Sequence, residues 1–191
     1  ITMEAKSWEH VCNIASWLAV APFDLLCLEL SPPNQIVIRI GGQPESLPAR
    51  AVRMQNTVRD VSWQELPDDH EYWRNAANLS WVDRSLSLVR MPLSPSQLQL
   101  AEESIAETLH RRYGVGGNVL WLAGPHEAVE QCTKQLQQTL QRSAVAIFGD
   151  WRSPQLRANP PSPMESRLHR VFDPTERFTS ATAQSLAPSG N

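Results

Sequence analysis

The chain has 191 residues, enough for one substantial hydrophobic core or for two small lobes that share one. Hydrophobic residues make up 41% and charged residues 19%, the balance of a globular protein rather than a disordered or fibrous one. A formal charge of -3, with 17 Lys and Arg scattered along the chain and no dense basic run, argues against a nucleic-acid or acidic-lipid partner.

Residues 7–21 carry Trp8, Val11, Cys12, Ile14, Ala15 and Leu18 at helical spacing, with Ser7 as N-cap and Pro22 as stop. Two apolar runs follow, 24–30 and 35–40, separated by Ser31-Pro32-Pro33-Asn34. They read as a β-hairpin with Ile36, Ile38 and Ile40 on one face, Val37 and Arg39 on the other, and Gly41-Gly42 closing it. A second helix is predicted over 44–58, and 60–80, with Trp63, Tyr72, Trp73 and Arg74, reads as helical or irregular. A strand follows at 85–91 and stops at Pro92. The spacing of Leu98, Ala101, Ile105, Ala106 and Leu109 predicts one long helix over 96–112, with Glu102, Glu103 and Glu107 outside its apolar stripe.

Gly114, Gly116 and Gly117 predict a tight turn into a strand at 119–122. Another helix is expected over 125–141, apolar at Ala128, Val129, Cys132, Leu136 and Leu140, and a last strand over 144–148. Residues 150–163 read as loop, 165–172 as a short helix, and 179–191 as a disordered polar tail. The alternation of strands and helices points to an α+β fold, an antiparallel or mixed sheet with helices packed on one face in a ferredoxin-like arrangement. The domain reading is one unit over 1–178, divisible into sub-lobes 1–60 and 61–178.

A dinucleotide cofactor needs a Gly-rich turn that opens a helix and admits pyrophosphate. The cluster Gly114-Val115-Gly116-Gly117 runs into a strand instead and reads as an ordinary turn. The five histidines show no i+2 or i+4 pair, and Cys12, Cys27 and Cys132 lack the C-x-x-C spacing of a zinc or iron–sulfur site. Free cysteines in apolar segments fit a reducing, cytoplasmic compartment. No apolar stretch approaches the ~20 residues of a membrane-spanning helix, and no secretory leader is visible at the N-terminus. Asp68-Asp69-His70-Glu71 could hold a cation or act as an acidic site, but it also reads as a solvated helix start. Seven tryptophans are many for this length, and aromatics serve either a core or a planar-ligand pocket. Trp121 alternates with Leu120 and Leu122, so it faces away from both and is a candidate for a pocket or partner surface.

Four stretches, in order, resemble one family. The run Ala21-Pro22-Phe23-Asp24-Leu25-Leu26-Cys27-Leu28-Glu29-Leu30 is similar to the strand that follows a helix in the cap domain of FAD-linked oxidases of the vanillyl-alcohol oxidase type, and 36–42 to the strand after it. Tyr72-Trp73-Arg74 followed by Ser87-Leu88-Val89-Arg90-Met91-Pro92 resembles a further cap segment. Phe172-Asp173-Pro174, within 167–174, resembles the family's C-terminal F-D-P motif. The closest likeness is to the small FAD-binding subunit of glycolate oxidase.

That resemblance implies a cap, or substrate, domain whose own N-terminal FAD-binding domain is absent from this chain. The chain's start at Ile1 fits a segment of a longer protein. The implied reaction is oxidation of a 2-hydroxy acid such as glycolate. FAD would be bound in the intact enzyme and not by this chain alone, so the fragment is expected to be inactive. The implied partners are a larger flavin subunit and an iron–sulfur subunit. Arg90 is the residue expected to meet a substrate carboxylate, because its planar fork matches two oxygens. Where the family ends in N-P-G-R, this chain has Phe178-Thr179-Ser180-Ala181-Thr182, so that contact is expected to be missing. An exposed apolar patch is expected where the missing domain would sit. Two other readings stay open, a free-standing ferredoxin-like module that docks a protein or small ligand, and a small enzyme built on the acidic run.

Overall fold

In a computed structural model that describes residues 1–66, 69–159 and 162–175, the apolar periods of the sequence resolve into nine strands and six α-helices. In chain order these are β1 (Thr2–Glu4), α1 (Trp8–Leu18), β2 (Leu25–Ser31), β3 (Gln35–Ile40), α2 (Leu47–Thr57), β4 (Ser62–Gln64), α3 (Asp69–Ala77) and β5 (Ser87–Pro92). Then come α4 (Leu98–Glu103), β6 (His110–Gly114), β7 (Val119–Gly124), α5 (His126–Leu140), β8 (Ala144–Phe148), β9 (Gln155–Leu156) and α6 (Pro163–Phe172). The strands form one sheet in the order β4-β1-β3-β2-β6-β7-β5-β8-β9, and every pairing in it is antiparallel. The fold is therefore α+β, with an antiparallel sheet continuous across both halves of the chain.

Local signals place most elements where the sequence puts them. Ser7 caps α1, its Oγ accepting the His10 N–H at 3.2 Å. The buried side of α1, Val11, Ile14, Ala15 and Leu18, is the predicted stripe. Ile36 and Ile38 of β3 join the same apolar cluster as Leu28 and Leu30 of β2, Val89 and Met91 of β5, and Leu120 and Leu122 of β7. Leu98 and Ala101 of α4 and Val129 and Leu136 of α5 close over that face, and Met54 reaches it from α2. Truncating fully buried Leu120 or Leu122 to Ala costs about 2–5 kcal/mol, since the gap left between sheet and helices cannot fully collapse.

The long helix expected over 96–112 is not formed. Its α-helical part ends at Glu103, and His110–Gly114 is a strand paired over five residues with β7. The Ser104 hydroxyl bonds back to the Leu100 carbonyl at 2.8 Å, and the Ile105 N–H bonds to the Glu102 carbonyl at 3.2 Å, so the helix tightens and stops. Ile105 and Leu109 stay buried in either conformation, and for that reason apolar spacing could not tell the two apart. Glu102 is also not outside the core. It accepts from Arg111 Nε at 3.0 Å and from the Tyr113 hydroxyl at 2.7 Å, tying α4 to β6.

Three short strands go beyond the sequence reading. β1 pairs with β3 and β4, β4 pairs with β1, and β9 pairs with β8 within the stretch read as loop. The tail from 179 lies outside the described residues. Among the described residues, no helix is long and apolar enough to cross a membrane.

Candidate functional site

Alternation along the strands sends a second set of side chains to the opposite face of the sheet. Between inward Leu28 and Leu30, Glu29 points to this second face; so does Arg112, next to buried Tyr113, and Trp121, between Leu120 and Leu122. Only part of this face is covered. The cover is α3 together with the connection that follows it, where Leu79, Trp81 and Leu86 pack with Val82, Leu88, Ala123 and Phe148. Between this cover, the connection from α1 to β2 and the turn at 115–117 lies a groove of about 1030 Å³. Its walls and floor include Cys27, Glu29, Arg39, Trp73, Trp81, Arg112 and Trp121.

A polar knot borders the groove, with Glu29 and Arg112 in its lining. The Arg112 guanidinium forms an ion pair with the Glu29 carboxylate and donates to the Tyr72 oxygen at 2.6 Å. The Tyr72 hydroxyl in turn donates to Glu29 Oε2 at 3.3 Å. The Arg112 guanidinium carbon also lies 5.4 Å from the ring centroids of both Tyr72 and Trp81. With side chains only 16% and 21% exposed, Arg112 and Glu29 are screened little by solvent. Burial first, and the Glu29 charge with it, push the Tyr72 phenol up to about 12 against the opposing pull of Arg112. This knot fastens α3 to the sheet and leaves Arg112 already neutralised. Arg39 is likewise engaged, its Nε 3.3 Å from Asp69 of α3.

Arg90 lies on the same face with different company. In the register of β5 it stands opposite Trp121 of β7 on one side and Val145 of β8 on the other. Its guanidinium carbon is 5.7 Å from the Trp121 ring centroid, and it has no carboxylate partner among the described residues. Trp121 thus separates Arg90 from the groove, with its Nε1 running beside Gly114, where an added Cβ would sit 3.5 Å away. Trp73 Nε1 is buried without an acceptor among the described residues.

The other sequence candidates separate. Asp69 and Glu71 are both engaged, and Asp68 lies outside the described residues. No group of three His, Cys, Asp or Glu that could hold a metal ion occurs among the described residues. Burial raises the thiols of Cys12 and Cys132 to about 11, which disfavours the nucleophilic thiolate. Of the F-D-P motif, Phe172 is 77% exposed, Asp173 is buried and Pro174 is exposed, and none of the three lines the groove. The residues 178–182, where the family's terminal motif would stand, lie outside the described residues.

The Gly-rich turn does not fit a flavin's pyrophosphate. It leads into β7 instead of a helix N-terminus, and its left-handed Gly117, φ +91, packs down on Leu98, whose Cδ1 would lie 2.6 Å from an added Cβ. The space beneath it is apolar and filled.

The sequence singled out Arg90 and Trp121, which the sheet register brings together. It missed Glu29, Tyr72 and Arg112 as a unit, although the alternation Arg111-Arg112-Tyr113 is a strand signal once the helix is set aside. A buried contact outside the groove was also missed. The Ser87 Oγ lies 3.0 Å from His126 Nδ1, and that ring stands edge-on to Trp151 with centroids 4.6 Å apart. Ser87 is 3% exposed, so this pair locks β5 to the start of α5. The chain matches no family model, no curated protein and no solved structure.

Proposed function

We propose that this chain is the ferredoxin-like cap of a flavin-linked 2-hydroxy-acid oxidoreductase of the vanillyl-alcohol oxidase type, similar to the small FAD-binding subunit of glycolate oxidase. The observation that carries the reading is Arg90, a guanidinium free of any described carboxylate, set against an indole at the margin of a groove. Such a planar fork can take both oxygens of a substrate carboxylate. The stretches that resemble the family supply β2, α3 and β5, which share this face with β6 and β7. A further support is α6, where Met164, Leu168, Val171 and Phe172 share one helix face and are exposed, the kind of apolar surface a neighbouring domain would cover.

In this reading FAD is held by a separate N-terminal domain, because the Gly-rich turn at 114–117 does not fit its phosphates, and electrons pass on to an iron–sulfur subunit. The work of this chain is to bind and to exclude. Arg90 orients the carboxylate, Trp121 packs against the bound acid, and Trp73 and Trp81 keep water from the groove. The test is the same gene expressed with a Gly-rich flavin domain upstream. A yellow protein that oxidises glycolate, with the KM raised at least tenfold by Arg90→Gln, is the expected result. A colourless protein that retains no added FAD overturns the reading. It would favour a binding module instead, which the exposed Leu26 and Val115 of the groove lining also suit.

A further inference from the structure

The acid bound at Arg90 need not be small, and the groove beside it argues that it is not. A two-carbon hydroxy acid has roughly the volume of three waters, about 90 Å³ at about 30 Å³ each. The groove measures about 1030 Å³. A C2 acid seated on Arg90 would leave almost all of it to solvent, within walls that are mostly aliphatic and carry three tryptophans, Trp73, Trp81 and Trp121.

The charges restrict where an anion can sit. Arg112 is committed to Glu29 and Tyr72, and Arg39 to Asp69. An anion at either would have to displace a carboxylate of the protein. Arg90 has no such partner in the described residues, and it lies beside Trp121, outside the groove lining. A molecule that reaches from Arg90 into the groove must therefore pass along the indole of Trp121. Trp73 and Trp81 face the same space from α3 and the connection after it. Gly114 and Ala76, which carry little or no side chain, also line the groove.

Resting on the function proposed above, we infer that the groove accepts the side chain of an aromatic 2-hydroxy acid, with its carboxylate at Arg90 and its ring among Trp73, Trp81 and Trp121. Two or three ring contacts of this kind separate an aromatic acid from an aliphatic one by a factor of ten or more.

The probes are 3-phenyllactate and glycolate, titrated into the chain by calorimetry and by quenching of tryptophan fluorescence. The expected result is phenyllactate binding at least tenfold tighter than glycolate. Arg90→Gln should weaken both acids by a similar factor, whereas Trp121→Leu should abolish the preference for the aromatic one. Ala76→Leu, at a half-buried position of α3 in the groove wall, narrows the space. It should weaken phenyllactate binding and leave glycolate unchanged, which keeps the test valid if the tryptophan variant does not fold. Equal affinity for the two acids, no binding of phenyllactate, or a preference indifferent to Ala76→Leu overturns the inference. Failure here is separable from failure of the parent reading. Glycolate oxidation by the flavin-bearing protein without aromatic preference sinks only this inference, and a colourless flavin-domain fusion whose cap still prefers phenyllactate sinks only the flavin assignment.

Discussion

Arg90 stands directly across β5 and β7 from Trp121, with its guanidinium carbon 5.7 Å from the indole centroid, while Arg112 stands opposite the same residue in the register of β6. One tryptophan thus has an arginine on each neighbouring strand of a single row, and among the described residues only Arg112 has a carboxylate beside it. The contact of Arg90 with the ring is exposed, so it contributes about 0.5–1 kcal/mol. Arg90→Gln is expected to lower the unfolding free energy by no more than about 1 kcal/mol in urea titration. Any larger effect of this variant on ligand affinity then reports binding and not folding.

Glu29 and Arg112 behave differently because their charges are sheltered. Glu29→Gln leaves a guanidinium partly buried with only Tyr72 to meet it, and should destabilise the protein by about 2 kcal/mol, measured by urea denaturation. Replacing both partners, Glu29→Leu with Arg112→Met, should cost less than the sum of the two single changes, since neither charge is then stranded. Additive losses would show that the ion pair is not coupled.

The chain has two tyrosines, and both sit in hydrogen-bonded, buried settings beside a glutamate. Burial is the main cause that raises both phenols, Tyr72 to about 12 and Tyr113 further. Below the ordinary phenol value near 10 both are protonated in the folded and unfolded states alike, so pH has no effect through them. Above it the unfolded chain releases protons that the folded one keeps, so stability falls as pH rises from about 10 to about 12 and beyond. Spectrophotometric titration should show no tyrosinate absorbance at pH 10 in the folded protein, and the melting temperature should fall over that same window.

Gly149 closes β8 at φ +117, and a Cβ there would lie 2.2 Å from the Ser87 Oγ and 2.9 Å from Trp151 Nε1. Gly149→Ala therefore combines backbone strain with a collision against the Ser87–His126 contact, and should cost about 2–4 kcal/mol. Thermal denaturation provides the measurement, with Gly114→Ala as a control. The Cβ of that variant meets Trp121 only at ordinary contact distance.

Sequence alone determined the helices and strands whose signals are local. Ser7 and Pro22 bracket α1, and the alternating isoleucines of 36–40 fix which side of β3 is inward. The alternation Leu120-Trp121-Leu122 likewise sends the indole to the second face. These follow from capping chemistry and from a side-chain period of two, which need no knowledge of distant partners. The tertiary structure decided what lies opposite what. Ile105 and Leu109 are inward both in a helix and in the turn and strand entry actually formed, so only pairing of His110–Gly114 with β7 and the clasp of Glu102 on Arg111 and Tyr113 ended α4. Glu29, Tyr72 and Arg112 are up to 83 residues apart, and no local period marks them as partners. They meet because antiparallel register brings β2 beside β6 and the connection after β4 returns α3 across the same face. Spacing encodes which way a side chain faces, whereas the long-range register of the sheet encodes whom it meets.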